Sequence, residues 1–208
     1  GDIAEKAPTQ AGKDAAKLRE LRKRLEAFHG RRDSKAVTAA FKHLGHGDRF
    51  IRYAARIAIE SQPVSAWETK VLNAKNADTI ITGAVALARS GQATSRDALL
   101  NKLLSLDLAK LSERQKLELS RAYALVFIRM GEPADKNLAK RLVASLDSQY
   151  PAKGADLNRE LSQLLVFLKA PSVISKTLAM MDTKVESSMV VDREALDRND
   201  GYGGTIKK

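Results

Sequence analysis

Between residues 46 and 60 the chain reads His-Gly-Asp-Arg-Phe-Ile-Arg-Tyr-Ala-Ala-Arg-Ile-Ala-Ile-Glu, a stretch with little freedom in how it folds. Gly45 and Gly47 interrupt what precedes it, and Asp48 offers a side-chain oxygen to the open N–H groups of a first helical turn, so a helix starts near Asp48. Ile51, Ala54, Ala55 and Ala58 follow at i, i+3, i+4 and i+7, a single apolar stripe. Three of its four members are alanine, which lets another helix approach closely. Such a face needs stacked neighbours to bury it, and the rest of the chain supplies them.

Lys13 to Phe28 carries Leu18, Leu21, Leu25 and Phe28 and stops at Gly30. Val37, Ala40, Phe41 and Leu44 mark a short helix that pairs with the one from Asp48. Pro63 opens another helix with Val64, Trp67 and Val71 inside, followed by Ala77 to Ser90 with Ile81, Ala84 and Ala88. Ser95 to Leu106 pairs with Ser112 to Met130, and Asp135 to Gln149 with Leu157 to Lys169. Ser172 to about Met181 closes the series. No useful length alternates with period two, so the pattern predicts an all-α fold without strands. First helices of successive pairs begin near residues 35, 64, 95 and 135, a degenerate repeat of roughly 30 to 40 residues. The expected architecture is a right-handed α-α superhelix of about four pairs with a capping helix at each end. It divides into a disordered lead (1–12), a helical repeat domain (13–183) and an irregular tail or linker (184–208).

Aromatic residues make up only 5%, so Leu, Ile, Val and Ala must fill the core. The absence of cysteine excludes disulfides, Cys-type metal sites and Cys-x-x-Cys-His haem attachment. The longest apolar run, Ala122 to Ile128, is far short of the roughly 20 residues that span a bilayer, so no membrane insertion is expected. The chain opens on Gly1, which reads as a fragment from which upstream sequence was removed. A net charge of +11 permits nucleic-acid, lipid or acidic partners without demanding them, since acidic residues are interspersed among Lys17, Arg19, Arg22, Lys23, Arg24, Arg31 and Arg32.

The run Asp48-Arg49-Phe50-Ile51-Arg52-Tyr53-Ala54-Ala55 resembles the second helix of a HEAT repeat. That resemblance implies an armadillo-like α-solenoid and a structural ladder between repeats through Asp48 and Arg52. The later pairs lack the Asp-aliphatic-Arg run. Over residues 34 to 206 the chain is also similar to the HEAT-like region of large exported bacterial proteins described as membrane-bound dehydrogenase-like or haem-binding. The residues that carry this likeness are the Asp48 run, Trp67, Asn158-Arg159-Glu160-Leu161, Leu164 to Pro171, Asn199 and Gly201-Tyr202-Gly203-Gly204. In those proteins the redox groups belong to a propeller and a c-type cytochrome domain. The resemblance therefore implies an exported or periplasmic spacer or docking platform, without cofactor, whose partners are protein domains of the same full-length chain.

Candidate chemistry is sparse. His43-x-x-His46 with Asp48 straddles a helix break, a poor metal geometry, and His29 stands at a helix end. No Gly-x-Ser-x-Gly elbow and no Cys–His pair is present, and Gly201-Tyr-Gly-Gly has neither the strand nor the helix of a phosphate loop. Asp14, Glu20 and Glu26 read as surface ion-pair partners. Trp67 falls on the buried stripe with Val64 and Val71. The binding candidate is an arginine stripe: with Ile51 as the core direction, Arg52, Arg56 and Arg49 fall near 100°, 140° and 160°, away from the apolar face. These observations predict a non-enzymatic interaction scaffold. The competing expectation is a nucleic-acid-binding repeat resembling the HEAT-like DNA glycosylases.

Overall fold

A computed structural model of the protein describes residues 10–182. The tail assigned to 184–208, with its Gly201-Tyr202-Gly203-Gly204, lies outside them, as does the lead up to residue 9. Ten α-helices occupy the described residues: α1 (Gln10–Glu26), α2 (Ala36–Phe41), α3 (Arg49–Glu60), α4 (Glu68–Leu72), α5 (Ala77–Ser90), α6 (Arg96–Leu104), α7 (Glu113–Met130), α8 (Lys136–Asp147), α9 (Ala155–Phe167) and α10 (Val173–Asp182). Short 3-10 turns at Val64–Ala66, Ala93–Ser95 and Leu108–Lys110 join some of them, and no strand occurs among the described residues. The first helix takes in residues 10–12, which the hydrophobic pattern alone leaves in the lead.

The helices form two layers. In the first, α1, α3, α5, α7 and α9 each pack against the next in chain order. In the second, α2 backs α3, α4 backs α5, α6 backs both α5 and α7, and α8 backs α9, while α10 rests on α9. The pairs expected from the spacing, α2 with α3, α4 with α5, α6 with α7 and α8 with α9, are therefore in contact. Their starts depend on caps. Asp48 accepts N–H bonds from Phe50 and Ile51 at 2.7 and 3.1 Å, Asn76 accepts one from Thr79 at 3.0 Å, and Ser112 forms a reciprocal capping box with Gln115.

Small residues set how closely the layers approach. Ile51, Ala54, Ala55 and Ala58 of α3 are all buried, as are Ala84, Ala86 and Ala88 of α5. A Cβ on Gly83 would stand 2.9 Å from both methyls of Val71, so α5 meets α4 at a point that only glycine fits. A Cβ on Gly45 would lie 2.5 Å from the Thr79 hydroxyl and 2.6 Å from Asn76 Oδ1, which seats the loop before α3 on the start of α5.

The helix expected from Pro63 is instead two pieces. Trp67 takes φ −138° between the turn Val64–Ala66 and α4, outside the helical range. Its ring is fully buried and its N–H points at the Gln62 carbonyl, 3.4 Å away, so burial of the indole prevails over helical continuity.

The start of α6 grips the α7–α8 turn. Asp97 accepts N–H bonds from Ala134 (3.2 Å) and Asp135 (3.0 Å), while Arg96 donates to the Met130 carbonyl at 3.1 Å. Burial alone would push the Asp97 pKa up, but the bonds from Arg96 and the two backbone N–H groups outweigh it and hold the carboxyl below its usual range. Asp147 is held low by Ser172 and by Lys176.

Two outcomes follow from this packing. Gly83→Ala is expected to cost about 1–3 kcal/mol in denaturant unfolding, and adding Val71→Ala should cost less than the sum of the two changes, because the second removes the methyls that the first meets. Because Asp97 and Asp147 have depressed pKa values, the stability they contribute is complete above the ordinary carboxylate pKa, about 4. It is lost as pH falls through the lower folded values. Acid titrations of the Asp97→Asn, Asp147→Asn double variant should start from lower stability near neutrality and show a shallower decline below about pH 4 than the parent.

Candidate functional site

On the face of the first layer a groove of about 260 Å³ crosses α3, α5 and α7. Ile81, Thr82 and Val85 of α5 form its floor, Arg49, Arg52, Tyr53 and Arg56 its α3 wall, and Glu118 and Arg121 its α7 wall. The three arginines proposed from the helical wheel thus reach one groove, but not as a uniform exposed stripe.

Arg52, at about 100° from the core direction, sits at the margin of the buried face. It is only 8% exposed. Its Nη1 donates to the carbonyls of His46 and Gly47 at 2.9 and 3.1 Å, and its Nη2 to Glu118 Oε1 at 3.1 Å. This side chain ties the loop before α3 to α7, across α5. Arg56 donates to Glu60 Oε1 at 2.5 Å, and Glu60 also receives Arg89 of α5 at 3.3 Å. Of the stripe, Arg49 alone has no ion pair among the described residues, and its guanidinium lies 4.9 Å from the centre of the Phe50 ring.

The ladder expected of Asp48 with Arg52 takes a different form. Both side-chain bonds of Asp48 go through Oδ1 to the first turn of its own helix, the usual direction for an N-cap aspartate. Arg52 does bridge elements, but its carboxylate partner is on α7 rather than on the neighbouring α5. The cross-helix links come from other residues. Arg114 pairs with Asp78 of α5 at 2.8 Å and, within α7, with Glu118 at 2.6 Å; Gln115 donates to Asp78 at 3.1 Å, and Arg121 pairs with Glu160 of α9 at 3.0 Å. Hydrogen bonds to both carboxylates push the Arg114 pKa up, so this cation holds its charge.

Two aromatic side chains stand out of α3, and of these Tyr53 lines the groove. Phe50 is 53% and Tyr53 57% exposed, and the Arg56 guanidinium lies 5.1 Å from the Tyr53 ring centre. Phe50 lines a separate groove toward α1, with Leu18, Arg19 and Arg22. Sequence reasoning passes over both rings, although the wheel that finds the arginines puts Tyr53 near 200° and Phe50 near −100°, well away from the core. Glu118 and Arg121, far along the chain, carry no comparable signal.

The remaining candidates are structural. His29 Nε2 lies 2.8 Å from the Ala54 carbonyl, and His46 Nδ1 accepts the Asp48 N–H at 3.0 Å. His43 and His46 meet edge to face at 6.2 Å, and burial, with Lys42, His46 and Arg24 nearby, pushes the His43 pKa down. Among the described residues no group of three His, Cys, Asp or Glu side chains is placed to hold a metal ion, and no helix is long and apolar enough to cross a membrane. On α1, Asp14, Glu20 and Glu26 pair with Lys17, Lys23 and Arg22.

Comparison with known proteins finds no matching family model, no matching curated protein and no matching solved structure. The groove must therefore be read from its own chemistry.

The Arg52–Glu118 contact has an asymmetric expected cost. Glu118→Ala leaves a buried guanidinium without its carboxylate and should destabilise by about 3–5 kcal/mol. Arg52→Met leaves Glu118 still paired with Arg114 and should cost about 1–3 kcal/mol, mainly through the two released carbonyls. Urea unfolding of the two variants side by side checks the order.

Proposed function

We propose that this chain is a non-enzymatic interaction scaffold, a HEAT-like right-handed superhelix of about four helix pairs. By the resemblance of residues 34–206 to the HEAT-like region of large exported redox-type proteins, it belongs to such a protein, where it docks neighbouring protein domains. The observation that carries the scaffold reading is the compensated state of the groove. Arg52, Arg56 and Arg121 are each held by a carboxylate of this chain, Glu118, Glu60 and Glu160, around an apolar floor. Guanidinium groups fixed in this way form a pre-ordered surface with modest net charge, which suits a partner recognised by shape and by a few polar contacts.

One observation favours the nucleic-acid reading instead. Residues 10–56 hold thirteen Lys and Arg against five Asp and Glu, so most of the net +11 is gathered at one end of the chain. The two readings separate in a titration of labelled duplex DNA at about 50 and 200 mM salt, because neutralising several phosphates weakens binding by orders of magnitude over that range. The scaffold reading expects negligible affinity at both. Tight binding at low salt that collapses at high salt would replace it.

A further inference from the structure

We propose that the groove across α3, α5 and α7 accepts an extended acidic segment of a protein partner, with carboxylates on Arg49 and Arg121 and one apolar side chain against Tyr53 and Val85. This inference rests on the scaffold reading and specifies its ligand.

A guanidinium offers five N–H groups in a planar fork. Among the described residues Arg121 uses only its Nε, on Glu160, and neither of its amino groups has a partner. Arg56 uses only Nη1, on Glu60. Arg49 lines the groove and has no carboxylate partner among the described residues; its guanidinium lies over the Phe50 ring, a contact that leaves its N–H edge unoccupied. These donors have no competing acceptors among the described residues, and carboxylates match them two bonds at a time.

Between the donors lies apolar surface. Ile81, Thr82 and Val85 pave the floor, and the exposed Tyr53 ring stands at its edge. From α3 to α7 is two interhelix spacings, about 16–20 Å, which roughly six extended residues would cross. An extended peptide can place acidic side chains at both walls and an apolar one between them.

A nucleic-acid strand fits the same groove less well. Its phosphates recur about every 3.4 Å along the strand, with no choice of spacing. Glu60, Glu118 and Glu160 stand among the arginines and would face some of those phosphates. A peptide can avoid them by placing uncharged residues there, so the pattern of charge selects a protein segment.

The test uses the full chain and a fluorescein-labelled peptide of about twelve residues, twice the groove's span, with glutamates alternating with serines around a central leucine. A glutamine-for-glutamate version and a single-stranded oligothymidylate of similar length serve as comparison probes. Saturable micromolar binding of the glutamate peptide is expected, with none for the glutamine version. Arg49→Glu and Tyr53→Ala should each weaken it by about tenfold or more, equivalent to about 1.4 kcal/mol or more. Both positions are exposed, and circular dichroism verifies that the variants fold. Lys140→Glu, on the exposed surface of α8, should leave affinity unchanged. Absence of saturable binding, an equal loss in Lys140→Glu, or tighter binding of oligothymidylate overturns the proposal. A negative peptide result beside a negative duplex titration would reject the acidic ligand and leave the scaffold reading standing, whereas salt-sensitive duplex binding would reject the scaffold itself.

Discussion

Close approach between helices with small side chains is the constraint on which the rest of this structure depends. With aromatics at 5%, the chain has few bulky side chains to fill wide gaps, and its layers meet through alanine, leucine and glycine. The alanine face of α3 and the Gly83 contact with Val71 bring neighbouring backbones together, and tight packing of this kind tolerates little change in volume. Because α3, α5 and α7 are held close, long polar side chains on their exposed ridges can meet across them. The Asp78–Arg114, Glu60–Arg89 and Arg121–Glu160 pairs follow from that spacing. The groove lies between them.

Helix boundaries are legible in the sequence wherever a local chemical signal marks them. Asp48, Asn76 and Ser112 cap α3, α5 and α7, and glycine follows α5 and α7 directly, so the expected spans of these helices agree closely with the observed ones. The segment after Pro63 is different. Val64, Trp67 and Val71 have helical spacing whether or not the backbone between them is continuous, so the break at the buried Trp67 leaves no mark in the pattern. The arginine stripe was legible as a direction but not as a state. A helical wheel places Arg52 at the edge of the core without revealing that His46, Gly47 and Glu118 will enclose it. Pairings between residues as distant as 52 and 118 leave no mark on either local sequence.

Charge is handled differently on α1 and in the groove. Along α1 and the loop after it, basic residues outnumber acidic ones, and many face water. In the groove, each arginine except Arg49 is compensated within the molecule. Exposed charges of the first kind are screened by salt and act mainly on encounter, whereas partly buried pairs fix geometry. The chain thus combines a basic end suited to long-range attraction with a groove whose selectivity depends on where donors remain free.

Arg52 has a mechanical consequence. In a stack where each helix touches chiefly its neighbours, one end can loosen while the other stays intact, because no contact reports over more than one step. The bond from α3 to Glu118 reaches past α5 to α7. Separating α3 from α5 must then also break a link to the helix beyond, so the cost of loosening that end includes a contact two helices away.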